Sequence, residues 1–275
     1  MLIGAPDTGK SSFARRLLKA AVETGKTAAY VDADVDQSTS GPPTCVGLHW
    51  VRNPQDLATL RRADTLQFVG STAPEGLVLQ QVVATATQVN RARDEVDLVV
   101  VDTTGVVSGV IGQTLKYHKM EVCRPDVVVG LQRGAELDPI VGMLRRFFTA
   151  DVEVADVDPE VKAASPEDRR TRRTDAFAEA FAPPLQRWRV RPTVFAPSLP
   201  PGLDLSRLDG MLVGLQDGAG WCLGLGVLEH DDGVLRVITN MGEGMRGLRL
   251  GSLHLTLDGF VVKRMRLRDV MFGLD

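Results

Sequence analysis

Cysteine is scarce in this chain of 275 residues: Cys45, Cys123 and Cys222 are the only three, widely spaced. An odd number without paired spacing indicates neither a disulfide framework nor a cysteine-based zinc site, and a reducing compartment is the simplest reading. His49, His118, His230 and His254 are equally scattered and read as surface or satisfied core. No apolar run approaches the ~18 residues needed to span a bilayer, and no signal-peptide pattern opens the chain. The expectation is a cytoplasmic protein with no membrane partner. Charge of one sign is lacking as well, with 32 basic against 35 acidic residues and a net charge of −3. That excludes a general polyanion-coating protein, so a nucleic-acid partner would need a local patch. Lysine is rare among the basic residues, 7 against 25 arginines. Arginine's planar fork suits phosphate, although a GC-rich codon bias accounts for the ratio equally well. What is present, 44% apolar and 24% charged residues, is the balance of a soluble globular chain of one large domain or two unequal ones.

Gly4-Ala-Pro-Asp-Thr-Gly-Lys-Ser11 fits the G-x-x-x-x-G-K-[ST] phosphate loop at every fixed position. Its glycines let backbone N–H groups wrap phosphates, Lys10 bridges the β- and γ-phosphates, and the Ser11 hydroxyl takes Mg²⁺. Gly4, Asp7, Thr8, Gly9, Lys10, Ser11 and Ser12 are therefore the candidate ATP-binding residues. A helix should follow, since Phe13, Leu17, Leu18, Ala21 and Val22 recur at helical spacing before Gly25. Only Met1, Leu2 and Ile3 precede the loop, so the first strand is expected to be stunted or to continue upstream of the recorded start. In the former case, nucleotide binding and stability are expected to be lower than a complete first strand would give.

The apolar run Thr27–Val31 ends in Asp32-Ala-Asp-Val-Asp-Gln37. Ligands of parallel α/β sheets bind beyond the carboxyl ends of the strands, so these acids are expected beside the phosphate loop. There a carboxylate can hold Mg²⁺ or accept a proton from an attacking hydroxyl. Further strands are expected at Leu66–Val69, Leu98–Val101 and Val127–Leu131, with helices at Glu75–Arg93, Val110–Val122 and Leu137–Phe148. This alternation predicts a P-loop NTPase fold of α/β class, a parallel sheet flanked by helices. Asp102-Thr-Thr-Gly105 brings one more acid and two hydroxyls to the same edge. No N-K-x-D guanine-reading tetrapeptide occurs, which favours ATP, or an undiscriminating site, over GTP.

Ser165-Pro-Glu-Asp-Arg-Arg-Thr-Arg-Arg173 opens like a helix, with Ser as cap, Pro next and acids in the first turn. Arg169 and Arg173 share a face one turn apart, and Ala176, Phe177, Ala180 and Phe181 offer a packing face below them. Such a helix is expected to act as a lid, at about 157–182, that brings arginine to a transferring phosphoryl group. A solvated charged face, neutralised by Glu167, Asp168 and Asp175, is the alternative. Pro197-Ser-Leu-Pro-Pro-Gly202 is the clearest boundary. It divides a kinase domain at 1–198 from a small antiparallel β domain, barrel or sandwich, at 200–275, with no clear helical run and no obvious nucleic-acid face.

Taken in chain order, these motifs resemble the P-loop polynucleotide 5′-hydroxyl kinases, a family that includes eukaryotic mRNA-cleavage-factor and pre-rRNA-processing kinases and archaeal RNA kinases. The phosphate loop is followed by Asp32–Gln37 at the family's D-x-D-x-G-Q motif and by Gly41-Pro-Pro43. Phe68–Gly76 is similar to its F-V-G-x-x-S-P-x-G segment, and Thr103-Thr-Gly105 stands at its T-x-G-W clasp. Arg169-x-x-x-Arg173 matches its R-x-x-x-R lid, and Leu223–Gly226 with Gly247–Gly251 resembles its C-terminal β domain. The resemblance implies transfer of the ATP γ-phosphate to a polynucleotide 5′-hydroxyl, of RNA or DNA, and protein partners in RNA processing. Lys10 would neutralise the transferring group, and Asp34 would orient or deprotonate the hydroxyl. Arg169 and Arg173 would close the lid, Ser11 and Asp34 would hold Mg²⁺, and Gln37, Thr103, Thr104 and Gly105 would lie at the substrate. The chain departs from the pattern at Asp36, which replaces a glycine, and at Val106, which replaces the clasp tryptophan. The β domain that precedes the phosphate loop in eukaryotic and archaeal members has no counterpart before Met1. A catalytically weak or inactive ATP-binding scaffold of RNA processing, and a small-molecule kinase or ATPase, therefore stay open beside the polynucleotide kinase.

Overall fold

A computed structural model describes residues 1–272. In chain order, β1 (Leu2–Gly4) leads through the phosphate loop into α1 (Lys10–Glu23). There follow β2 (Ala28–Ala33), β3 (Cys45–Val51), β4 (Thr65–Phe68), α2 (Val78–Arg93), β5 (Leu98–Thr103), α3 (Gly109–Cys123), β6 (Val127–Gln132), α4 (Asp138–Phe147) and β7 (Asp151–Asp156). Five strands run parallel in the order β2-β5-β1-β6-β7. Apart from Asp32, β2 is apolar or aromatic and helices cover both faces, so all six of its residues are buried. The sheet is mixed rather than parallel throughout: β3 runs antiparallel to β2 and β4 antiparallel to β3. Helix α1 buries Ala14, Leu18, Ala21 and Val22. It stops at Gly25, φ 77°, where Gly25 N–H donates to Val22 and Lys26 N–H to Ala21, closing the last carbonyls in a Schellman pattern.

The second half comprises α5 (Pro166–Ala180), β8 (Gln186–Arg189), β9 (Phe195–Ala196), β10 (Met211–Gln216), β11 (Cys222–Asp231), β12 (Val234–Thr239), β13 (Gly247–Thr256), β14 (Val261–Arg264) and a short α6 (Leu267–Phe272), in a stretch where no helix was expected. The pairing is antiparallel except for β9 on β13. Two features redraw the expected division at 198–200. Strands β8 and β9, on the near side of Pro197, pair with β12 and β13, and Val190 and Phe195 belong to the same core as Leu235 and Leu248. The β layer is also hydrogen-bonded to the first sheet through β11 and β4, Cys222 opposite Leu66. Helix α5 is rooted on this seam. Phe177 and Phe181 are buried with Phe68, Leu212 and Leu225, so the phenylalanines fix one end of the helix while its arginines extend over the first sheet. Among the described residues, no helix is long and apolar enough to cross a membrane.

Candidate active site at the carboxyl edge of the sheet

The carboxyl ends of β1, β2 and β5 meet the phosphate loop. Gly9, φ 86°, turns the chain into α1, a conformation open to glycine without strain. Lys10 is buried and its ammonium donates to the Ala5 carbonyl at 2.8 Å. The Thr8 hydroxyl donates to the same carbonyl at 3.0 Å. Thr8 and Gly4 are internal struts of the loop, whereas Asp7, Gly9, Lys10, Ser11 and Ser12 line a large cavity. Arg133, beyond β6, donates to the carbonyls of Pro6, Asp7 and Val161, tying the phosphate loop to the segment leading into α5. No motif in the sequence marks that arginine.

The acids divide by task. Asp32 and Asp102 are register partners on β2 and β5. Asp32 is fully enclosed and accepts from the backbone N–H groups of Asp34, Thr39 and Ser40, which makes it the organiser of the 34–40 loop. Burial and the neighbouring Asp102 charge push its carboxyl well above the usual range. Asp34 lines the cavity and accepts from Asp36 N–H and Gln37 N–H, both at 3.2 Å. Ser11 gives its hydroxyl to Asp102 Oδ2 at 2.6 Å, and the Tyr30 hydroxyl donates to the same oxygen at 3.1 Å. The carboxylate in contact with Ser11 is thus Asp102. Burial raises the Asp102 carboxyl, partly offset by Ser11 and Lys10. Its other oxygen, Oδ1, is buried without a hydrogen-bond partner. A hydroxyl beside an unsatisfied carboxylate oxygen suits Mg²⁺, which keeps most of its water and takes one or two protein ligands beside phosphate oxygens. Among the described residues there is no group of three or more His, Cys, Asp or Glu side chains placed to hold a metal, and such a site does not require one.

Only part of the segment expected to act as a clasp faces the cavity. Thr104, Gly105 and Val106 line it. Thr103 is fully buried behind them, donating to Leu2 O at 2.7 Å and accepting from Lys116 Nζ at 2.8 Å. Lys116 also donates to Thr104 O at 2.7 Å, so a buried ammonium from α3 holds the clasp, and burial draws its pKa well down. Gly105 lies so close to Pro6 that an added Cβ would sit 2.6 Å from the Pro6 nitrogen. Clasp and phosphate loop are therefore in direct contact.

The basic helix starts as its sequence predicts. Asp168 N–H donates to Ser165 Oγ and Ser165 N–H to Asp168 Oδ2, both at 3.0 Å, a capping box. Arg169 pairs with Asp7 at 2.8 Å and Arg173 with Asp36 at 2.6 Å, each about a third exposed or less. Arg169 and Arg172 line the cavity; Arg173 reaches it only through Asp36. Asp36 thus places its charge against Arg173. Gln37 donates to Arg169 O at 3.2 Å while its Oε1 is buried and unpartnered.

With this geometry in place, the relatives are informative. A family model for the mRNA cleavage and polyadenylation factor CLP1 P-loop matches residues 4–182. A polyribonucleotide 5′-hydroxyl-kinase of Thermococcus kodakarensis is 27% identical, covering 94% of this chain and 88% of its own length. Its counterpart from Methanocaldococcus jannaschii is 26% identical over 94% and 87%. The rat polyribonucleotide 5′-hydroxyl-kinase Clp1 is 32% identical over 48% of this chain and 33% of its own. A solved Clp1p–Pcf11p complex shares the fold, with a TM-score of 0.67 at 14% identity, covering 91% of this chain and 73% of the other. The phosphate loop, the acids of β2, the clasp and the paired arginines all fall within the matched span, and the chain belongs to the CLP1 P-loop family.

Proposed function

We propose that this protein is an ATP-dependent polynucleotide 5′-hydroxyl kinase that moves the γ-phosphate of Mg·ATP to the 5′-hydroxyl of RNA or DNA. One observation carries the reading: the phosphate loop, Asp34, Gln37, the clasp and a lid arginine line a single cavity. The phosphate-loop amides and Lys10 hold the β- and γ-phosphates, Lys10 leaving the Ala5 carbonyl to do so. Asp34 receives the proton as the 5′-oxygen bonds to the γ-phosphorus and the bridge to ADP breaks. The unpartnered Gln37 Oε1 is an acceptor suited to a sugar hydroxyl. Ser11 and Asp102 would hold the Mg²⁺, with Asp34 on the open side, and the ion would supply charge neutralisation across the phosphates. Arg169 and Arg173 exchange Asp7 and Asp36 for the transferring phosphoryl group, where spread negative charge rewards a planar fork. Protein partners in RNA processing belong to the same reading; the Clp1p structure is itself that of a complex with Pcf11p.

A second reading, an ATP-binding scaffold, draws on the same pairs, because both lid arginines are already neutralised and Val106 offers no ring. The acceptors decide. With γ-labelled ATP, the kinase reading expects label in 5′-hydroxyl oligonucleotides and none in the same strands already carrying a 5′-phosphate. Tight ATP binding without transfer establishes the scaffold, and better labelling of free nucleosides establishes a small-molecule kinase.

A further inference from the structure

The cavity is larger than a nucleotide needs. Its volume is about 1740 Å³, against roughly 300–1,000 Å³ for the pocket of a small ligand. Beyond the phosphate loop its wall continues past β4 to the hairpin between β10 and β11, where Trp221 is the one aromatic side chain among the lining residues. That position is built rather than incidental. The Asp217 carboxylate accepts from Ala219 N–H and Trp221 N–H, both at 2.8 Å, and Asp217 N–H donates to Trp221 O at 3.0 Å. The guanidinium of Arg91, in the last turn of α2, lies over the ring with its carbon 4.8 Å from the centroid. The ring is half-buried, and Leu66, Leu223 and Met241 add apolar surface to the same stretch.

The charges beside it are arranged unequally. Asp64 is engaged by His49 and by the Trp50 N–H, and Glu75 by Arg264. Arg61 and Arg62 also line the cavity and are exposed, and neither guanidinium pairs with a carboxylate among the described residues. An aromatic ring backed by arginine, with two guanidinium groups from the segment leading into β4, the strand that pairs with β11 beside Trp221 and stands between it and the phosphate-loop strands in the sheet order, is the equipment of a single-strand groove: stacking for bases, cations for phosphates.

We propose that Trp221, supported by Arg91, is a stacking platform for a nucleobase of the substrate strand downstream of its reacting 5′ end, with Arg61 and Arg62 against the intervening phosphates. The inference rests on the polynucleotide reading and extends it into the β layer, whose overall charge gave no sign of such a face. It also supplies the aromatic surface that Val106 lacks. Stacking is indifferent to base identity, so the platform selects for strand length.

The test is steady-state phosphorylation by the full chain of a 5′-hydroxyl dinucleotide and of a ten-nucleotide strand, with wild type, Trp221→Ala and Trp221→Phe. Trp221→Ala should raise KM for the long strand by roughly 5- to 150-fold while leaving KM for ATP and turnover of the dinucleotide unchanged. Trp221→Phe should retain most of the affinity, and quenching of intrinsic fluorescence by the long strand should disappear in it. An unchanged KM for the long strand in Trp221→Ala overturns the platform. So does an equal loss for ATP and dinucleotide in both variants, which would mark Trp221 as purely structural. Wild type that binds ATP yet phosphorylates neither acceptor overturns the polynucleotide reading itself, and the platform with it.

Discussion

Lys119, on α3, is fully buried and its ammonium has no hydrogen-bond partner. Burial pulls its pKa from 10.5 down to about 8. A difference of about 2.5 at about 1.36 kcal/mol per pH unit costs the fold about 3 kcal/mol. The sign follows from proton counting. Between pH 8 and 10.5 the unfolded chain binds the proton more tightly, so stability rises with pH across that window. Below pH 8 the group is charged in both states and the whole penalty is present; above 10.5 it is neutral in both and the penalty is gone. Lys119→Met keeps the length and most of the volume of the stem and removes the charge. Replacing a buried ion by a packed apolar group is often stabilising by 1–4 kcal/mol. Urea unfolding at pH 7 should therefore show the variant more stable by about 1–3 kcal/mol, and the gap between variant and wild type should close as pH approaches 10.5. A variant less stable than wild type at pH 7, or a gap that does not change with pH, would refute this reasoning.

Three substitutions address the site. Asp36→Gly removes the partner of Arg173 and should lower KM for the strand several-fold with a steeper salt dependence, because one more cation becomes available to phosphate; an increase in KM would instead mean that the pair holds the lid in its working position. Asp34→Asn should lower kcat by roughly 10²–10⁴ with KM for ATP little changed. Asp102→Asn should chiefly raise the Mg²⁺ concentration needed for activity, and titrations in which the two variants exchange these effects would reverse the roles assigned to the carboxylates.

The sequence was most legible where one physical rule dominated. The phosphate loop, the helix after it and the capped basic helix follow from glycine placement, helical period and a Ser–Asp cap. Strand β3 escaped notice because Gly47 and His49 break its apolar pattern, although both are buried. Strand β7 alternates Val152 and Val154 with acids at a sheet edge, a weak signal beside its neighbours. The Ser11–Asp102 contact spans 91 positions, and only the register of β1, β2 and β5 brings the two together. Asp36 reads in the sequence only as a departure from the family's glycine, because its partner, Arg173, lies 137 positions away. Lys116 and Arg133 carry no motif at all, since they act by donating to backbone carbonyls and, for Lys116, to the Thr103 hydroxyl, whose positions depend on the finished fold.

The central claim meets its most direct test in a single-turnover reaction. Wild type and Lys10→Ala are mixed with γ-labelled ATP, Mg²⁺ and a 5′-hydroxyl strand, and the position of the label is mapped. The account predicts label at the 5′ terminus, removable by a phosphatase, with wild type and almost none with Lys10→Ala. Wild type that binds ATP and leaves the strand unlabelled would contradict it.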